Sequence, residues 1–368
     1  MMSDIYKCRI AGAGCGNKGE FDNTLDQSMT FGRTTMFASL SRRLFIGTVA
    51  TAAIAVSVPA HAADPVKLRI STPAVEADWH AKMLPVFKQE LEKAAPGQFD
   101  VEIHLNGTLF KQGTEPAAMQ RGNLEMAMIS AFDISKQIPE WSIFTAGYLL
   151  RNPDHQMKVF GSDVGQEMYR LVEDKMGIKI LDVGYLGTRQ LNLRTEKEVK
   201  TPADLAGVKL RMPGSDTWLF LGKALGANPL PVAFGEIYTA LQTGAIDGQD
   251  NPLPTVRAAK FYEVTKQIVL TDHLVDAIFL SMAGSTWKKL DDKQKAAVVN
   301  AAKAAVRFNN ENRIKEETEL ADFFKAQGLK VYKPDVEAFR TQVQKTYLES
   351  DLSKAWPKGM VDRINAIK

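Results

Sequence analysis

The segment GVKLRMPGS, residues Gly207–Ser215, has the pattern of a strand that ends in a charge. Val208 and Leu210 alternate with polar residues, which is typical of a strand with one buried face. Pro213 has no backbone N–H and therefore ends the hydrogen-bonding ladder. Arg211 then lies at the carboxyl end of the strand, the edge at which open α/β sheets bind ligands. The segment predicts a strand whose last charged residue faces a crevice.

Along the chain around this segment, strand patterns and helix patterns alternate regularly. The pattern restarts after Gly184, and a chain of 368 residues is long enough for two lobes. We therefore predict an α/β fold with largely parallel strands. A helical stretch from about Asp291 to Gln327 is long enough to cross between the lobes. Strand patterns in the first half of the chain occur at Val66–Ser71, Phe99–Leu105, Glu125–Ser130 and Ile178–Val183.

Residues 42–62, RRLFIGTVATAAIAVSVPAHA, have the pattern of a signal peptide. Two arginines precede an apolar run, and AHA at residues 60–62 fits the small-x-small pattern of a signal peptidase site. We predict a signal peptide over residues 36–62, cleaved near Ala62-Ala63, and a periplasmic protein. The arginine pair fits both twin-arginine export and general secretion.

Residues 1–35 are polar and precede this basic start, so we interpret them as a non-native or untranslated leader, with Met36 as the start. Both cysteines, Cys8 and Cys15, lie in this leader. The chain from Ala63 onward can therefore form neither disulfides nor thiolate metal sites. The net charge is +3, and the basic and acidic residues are interleaved, which argues against a nucleic-acid surface.

The usual signatures of an enzyme are missing from residues 63–368. This region has no G-x-S-x-G elbow, no H-E-x-x-H and no Walker loop. Its histidines, His80, His104, His155 and His273, do not have the spacing of metal ligands. We predict no catalytic residue, no cofactor and no metal site.

Polar side chains instead collect at predicted strand ends between residues 184 and 273. They are Arg189 in GTRQLNL, Arg211, Asn251 in DGQDNP and His273 in LTDHL. Two arginines and an asparagine at one crevice suit an organic carboxylate, because the guanidinium presents a rigid fork of donors to the two carboxylate oxygens.

Each of these residues also has a purely structural interpretation. Arg189 fits a surface or hinge salt bridge, and Arg211 fits an internal ion pair with Asp216 or Asp250. Asn251 precedes a proline and fits a turn. In the same way Phe234 fits a core aromatic at a helix start, while Trp79 and His80, in the loop after the first strand, are candidates for lining a cleft.

The run from TPADLAGVKLRMPGS through ALGANPLPVAFGEIYTALQTGAIDGQDNPL to KFYEVTKQIVLTDH, Thr201–His273, resembles the substrate-binding proteins of tripartite ATP-independent periplasmic (TRAP) transporters, the DctP-type family. The similarity extends to NGTLF, QRGNLEMAM and GYLGTRQ. The resemblance implies a two-lobed periplasmic-binding-protein-like fold with a hinge and a long helix that bridges both lobes. We expect lobe I over residues 63–186 plus about 277–316, and lobe II over residues 187–276 plus about 317–368.

The resemblance also assigns roles to particular residues. It implies that Arg211 binds the substrate carboxylate bidentately and that Arg189 and Asn251 assist it. It places Phe234 beside the ligand and His273 at the pocket wall. The resemblance assigns no role within the first-lobe loop Val75–His80, where family members differ most. Further candidates for specificity are Glu76, Trp79, His80, Glu115 and Trp218.

The resemblance implies a binding protein that captures an organic acid between the lobes and delivers it to the small and large membrane subunits of a TRAP permease. We expect a monomer, and a polar hydroxy acid or sugar acid as its ligand. An alternative is an exported enzyme that uses His273 with Asp272 or Asp276 on an acidic metabolite. A binding protein for an ATP-driven importer or a sensor is another.

Overall fold

A computed structural model describes residues 64–368 of the chain. The predicted leader, the predicted signal peptide, Cys8 and Cys15 lie outside the described residues. Within residues 64–368, no helix combines the length and the apolar character that crossing a membrane requires.

A single mixed sheet organises the described residues, with strand order β2-β1-β3-β8-β4-β7-β5-β6 and with β9 beside β8. The strands are β1 (Val66–Ser71), β2 (Phe99–His104), β3 (Met126–Ser130), β4 (Ile178–Leu193), β5 (Lys209–Met212), β6 (Asn228–Pro231), β7 (Gly248–Pro252), β8 (Gln267–Ala283) and β9 (Lys330–Tyr332).

Helices connect and cover these strands, and side chains cap the first turn of several. Asp78 caps the first helix through the backbone N–H of His80, and Ser215 caps the sixth through that of Trp218. The helices are α1 (Trp79–Ala94), α2 (Glu115–Gln120), α3 (Ala131–Ser135), α4 (Pro153–Gly161), α5 (Asp163–Met176), α6 (Asp216–Ala224), α7 (Ile237–Thr243), α8 (Leu253–Ala258), α9 (Gly284–Trp287), α10 (Asp292–Ala326), α11 (Val336–Leu348), α12 (Asp351–Lys354) and α13 (Met360–Ala366). Short 3₁₀ turns lie at Pro139–Thr145, Pro202–Leu205, Phe234–Glu236 and Phe261–Val264.

The expectation of largely parallel strands is wrong at the centre of the sheet. β4 and β8, of 16 and 17 residues, run antiparallel to each other through both halves of the sheet. The sequence suggested that β4 stops at Gly184, but register shifts near Tyr185 and Gly187 bend the strand without ending it. Gly187 has φ +127°, a conformation that β-bulges use and other residues rarely adopt.

Side chains of α10 hold the bent part of β4. Asn310 accepts a hydrogen bond from the backbone N–H of Tyr185 at 2.8 Å, and Asn309 donates to the carbonyl of the same residue at 3.1 Å. Arg313 donates to the carbonyl of Leu186, and Glu317 accepts from the N–H of Thr188 at 2.9 Å. Because bulged backbone groups lose their ladder partners, these side chains satisfy them instead.

The two-lobed architecture with a long bridging helix is confirmed. One lobe is built on β2, β1 and β3, the other on β7, β5 and β6, and β4 and β8 pass through both. The first half of α10 packs Val298 and Ala302 into the core with α1, and the second half places Leu320 and Phe324 in the core around α7. This 35-residue helix therefore joins the two lobes.

The residue boundaries of the lobes remain a prediction. After β9 the chain packs α11 against α6, in the second lobe. It then returns to earlier elements, with α12 against the 3₁₀ turn at Pro139–Thr145 and α13 against α5.

Candidate functional site

A cleft between the two lobes contains six of the ten side chains singled out in the sequence. Together, its enclosed part and its mouth hold about 670 Å³ of empty space. The second lobe contributes the carboxyl ends of β5 and β7, where open α/β sheets bind ligands, and the first lobe contributes loops after β1 and β2. β4 and β8 contribute residues from within the strands. The six predicted residues that line the cleft are His80, Glu115, Arg189, Arg211, Phe234 and Asn251.

Arg211 is a buried cation that forms no ion pair within residues 64–368. Its side chain lies near the end of β5 and is 1% exposed. Nε donates to the carbonyl of Val232 at 2.8 Å, and Nη2 donates to Oε1 of Gln112 at 3.0 Å. Among residues 64–368 no carboxylate forms an ion pair with it, so the internal pair with Asp216 or Asp250 is absent. Burial lowers the pKa of Arg211 to about 9, because a buried charge that forms no ion pair is costly.

Arg189 also lines the cleft, but its charge is already balanced. Nε and Nη2 donate to the two carboxylate oxygens of Asp250 at 2.7 and 3.1 Å, and Nη1 donates to Asp276 at 3.0 Å. The guanidinium lies over the ring of Trp218, 4.3 Å from its centroid. Burial alone would raise the pKa of Asp250, but Arg189 outweighs it and holds that pKa below its ordinary range. The hinge salt bridge considered from the sequence is therefore present, in a buried form.

Asn251 and Phe234 complete the second-lobe wall. Asn251 lies near the end of β7 and donates from Nδ2 to the side-chain oxygen of Gln249. Phe234 begins the 3₁₀ turn at Phe234–Glu236 and packs edge-on against Phe261, with ring centroids 5.7 Å apart. The backbone N–H of Phe234 donates to Oε1 of Gln112 at 3.0 Å. Phe234 thus lines the cleft with its ring while its backbone contacts the first lobe.

The first-lobe wall presents buried polar atoms without partners. His80 Nε2, Glu115 Oε1 and Asp133 Oδ1 are buried and make no hydrogen bond within residues 64–368. Burial and the charge of Asp133 raise the pKa of Glu115 to about 8, and burial raises that of Asp133 to about 6. Burial also lowers the pKa of His80 to about 3, so its ring is neutral. Unpaired polar atoms are costly when buried, and a ligand with hydroxyl groups would satisfy them.

Three of the residues proposed for specificity do not line the cleft. Glu76 is exposed. The indole of Trp79 donates to Glu316 on α10 and packs edge-on against Phe308, with ring centroids 5.9 Å apart. Trp218 lies behind Arg189 and supports its guanidinium.

His273 is fully buried and also lies outside the cleft wall. Its Nε2 is 3.2 Å from Oδ2 of Asp250, and its Nδ1 is 2.8 Å from the hydroxyl of Thr271. Both ring nitrogens are therefore engaged within the protein. The arrangement supports the Arg189–Asp250 pair and leaves no free imidazole nitrogen for a ligand.

Sequence reasoning missed a buried junction at the floor of the cleft. Arg313 on α10 donates to Asp78 and to the hydroxyl of Thr255, and Thr255 donates to Asp78 at 3.0 Å. Burial alone would raise the pKa of Asp78, but Arg313 outweighs burial and lowers it to about 2. Asp78 was identifiable only as a helix cap, and nothing in the sequence near Arg313 pointed to this contact.

The sequence also gave no indication of Gln112 or Asp133. Gln112 lies in a loop without a motif, and Asp133 belongs to a capping box with Ser130 that indicates only a helix start. The importance of both depends on which residues the other elements bring near them. Within the described part of the chain, no group of three His, Cys, Asp or Glu side chains is arranged to hold a metal ion. The cleft therefore offers a fork of cationic donors on one wall and hydroxyl partners on the other.

Known proteins share both the sequence and this fold. The chain is 31% identical over 314 residues to the sialic acid-binding periplasmic protein SiaP of Vibrio cholerae, a match that covers 84% of this chain and 95% of that protein. A crystal structure of a TRAP periplasmic solute-binding protein from Roseobacter denitrificans, with bound 3-deoxy-D-manno-oct-2-ulosonic acid, is 48% identical with a TM-score of 0.80 and covers 83% of this chain and 100% of that chain.

A second structure from Roseobacter denitrificans, with bound L-galactonate, is 26% identical with a TM-score of 0.76 and covers 83% of this chain and 99% of that chain. The family model for bacterial extracellular solute-binding proteins of family 7 matches residues 71–352, which include the lining residues of the cleft. This chain belongs to that family, the DctP-type solute-binding proteins of TRAP transporters.

Proposed function

We propose that this protein captures a sugar acid, an organic acid that carries several hydroxyl groups, in the cleft between its lobes. It then delivers the acid to the membrane subunits of a TRAP permease. The proposal rests mainly on one observation: the guanidinium of Arg211 is buried and forms no ion pair with a carboxylate in residues 64–368. A ligand carboxylate would supply the missing charge and accept the fork of guanidinium donors.

The first-lobe wall supports a hydroxylated acid over a simple one. His80, Glu115 and Asp133 each hold a buried polar atom that lacks a hydrogen-bond partner among the described residues. Hydroxyl groups both donate and accept, so they suit a neutral imidazole, a protonated carboxyl and an ionised carboxylate alike. The ligands of the relatives described above, a sialic acid, a deoxyoctulosonic acid and a galactonate, all combine a carboxylate with hydroxyls.

Binding would shift the protein toward its closed form. A ligand whose carboxylate contacts Arg211 and whose hydroxyls contact Glu115 touches both lobes at once, and these contacts exist together only when the cleft is closed. The bulge of β4 and its supports on α10 provide a bending point between the lobes.

The setting of this activity follows from the family and the sequence. The family is periplasmic, and we propose that residues 36–62 direct the chain there as a cleaved signal peptide. We propose that the partners are the small and large permease subunits, and that the protein acts as a monomer. No chemical step is part of the proposal, because His273 is held by Asp250 and Thr271 away from the cleft.

A thermal-shift and calorimetry panel tests the proposal. The panel contains 3-deoxy-D-manno-oct-2-ulosonic acid, L-galactonate, succinate and the neutral sugar galactose. We expect a sugar acid to bind and to stabilise the fold by about 2.7 kcal/mol at a hundredfold excess over Kd. Succinate tests the need for hydroxyls, and galactose tests the need for the carboxylate. Equal binding of galactose, or no binding by any acid of the panel, would contradict the proposal, and recovery of the bound acid in altered form would favour an enzyme.

A further inference from the structure

Gln112 lies in the loop between β2 and α2 and reaches across the cleft. Its Oε1 accepts a hydrogen bond from Nη2 of Arg211 at 3.0 Å and another from the backbone N–H of Phe234, also at 3.0 Å. Both partners can only donate, so the orientation of the amide is determined: its oxygen faces them. One side-chain atom of the first lobe thus holds two groups of the second lobe.

These two hydrogen bonds depend on closure of the cleft. Arg211 and Phe234 belong to second-lobe elements, whereas the loop of Gln112 follows a first-lobe strand. The neighbouring Lys111 adds a contact between the same segments, 3.9 Å from Glu236, but both of those side chains are exposed. An exposed ion pair contributes little, so Gln112 is the main polar contact at this edge.

The chemistry of the amide matters because of what it leaves free on Arg211. A guanidinium has five N–H groups. Val232 and Gln112 accept two of them, and three remain on Nη1 and Nη2. A neutral amide oxygen orients the guanidinium without neutralising it, so the positive charge stays available for a ligand. A carboxylate at the same place would balance that charge internally.

We propose that Gln112 is the positioning residue that couples carboxylate binding at Arg211 to closure of the cleft. The inference rests on the proposed function, in which Arg211 binds the carboxylate of the ligand. A ligand carboxylate on the free side of the guanidinium fixes the orientation in which Nη2 of Arg211 donates to Gln112. The first lobe then closes on Arg211 and the bound carboxylate. Ligand binding at Arg211 therefore favours the closed position of the Gln112 loop.

The effect of substituting Gln112 is expected on the dissociation rate. Gln112→Met keeps the size of the side chain and removes its acceptor, and the open form that admits the ligand is unchanged. We expect an unchanged association rate and dissociation that is about 30- to 1,500-fold faster, as for the loss of one charged and one neutral hydrogen bond. Gln112→Glu should slow association, because a carboxylate that pairs with Arg211 across the cleft stabilises the closed form without ligand and so lowers the population of the open form.

Stopped-flow tryptophan fluorescence with 3-deoxy-D-manno-oct-2-ulosonic acid measures both rates, and the melting temperature without ligand checks folding. Gln120→Met is the matched control, because Gln120 is exposed and pairs only with Gln137 of its own lobe in the described residues. If the wild type binds the acid and Gln112→Met dissociates at the wild-type rate, the coupling is wrong while the proposed function stands. If the wild type binds none of the sugar acids, it is the proposed function that fails.

Discussion

Replacing Arg211 with lysine isolates the fork geometry of the carboxylate site. The change keeps a positive charge but places all its donors on one nitrogen. In the wild type, two of the five guanidinium N–H groups are used by Val232 and Gln112, and three remain for the ligand. A lysine that keeps both internal hydrogen bonds has one N–H left. The ligand carboxylate therefore loses one of its two charge-assisted hydrogen bonds.

This loss sets the expected magnitude. A hydrogen bond to a charged group contributes about 1.5–3 kcal/mol, so Arg211→Lys should weaken Kd by about ten- to 150-fold. Isothermal titration calorimetry with 3-deoxy-D-manno-oct-2-ulosonic acid measures the change directly. Arg257→Lys is the control, because Arg257 is exposed and pairs with Glu316 outside the cleft. A Kd for Arg211→Lys within twofold of the wild-type value would refute the reasoning and remove Arg211 from the site.

Other substitutions separate the stability of the cleft from its affinity. Arg189→Ala leaves the buried carboxylates of Asp250 and Asp276 without their guanidinium. The free energy of unfolding in urea should therefore fall by about 3–5 kcal/mol. A variant as stable as the wild type would show that these ion pairs do not support the fold. Glu115 keeps its proton in the folded state up to a pKa of about 8 but releases it near 4.5 when unfolded, so stability that is present at low pH is lost as pH rises toward 8. Between pH 7 and pH 8 the free energy of unfolding should fall by about 1 kcal/mol. Glu115→Gln should abolish this fall when unfolding in urea is measured at both pH values. The same fall in the variant would assign the pH dependence to another group.

The fold could be predicted to the level of its elements and lobes. Local patterns carried this information, such as the caps at Asp78 and Ser215 and the alternation in β1 and β5. The direction of the central strands could not be predicted, because Gly184 looks like a strand end in sequence. The strand continues through the irregularity at Tyr185 and Gly187, since side chains from α10, more than a hundred residues later, satisfy the backbone groups that the ladder leaves unpaired.

The site was predictable where a polar or charged side chain lies at a strand end. Arg211 and Asn251 are in this class, and the structure places both in the cleft. The sequence allowed a salt bridge at Arg189 but did not identify its partners, because Asp250 and Asp276 come from other strands. It also did not show that His273 is held away from the cleft, because that contact is with Asp250 on β7. Gln112 is an ordinary loop residue until folding brings it to Arg211.

A crystal structure of the protein with 3-deoxy-D-manno-oct-2-ulosonic acid would test the central claim most directly. The claim is that a buried, unpaired guanidinium in the cleft binds the carboxylate of a hydroxylated acid. The account predicts the ligand carboxylate within about 3.2 Å of both Nη1 and Nη2 of Arg211, with hydroxyl groups directed at His80, Glu115 and Asp133. A bound acid whose carboxylate lies away from Arg211 would contradict it.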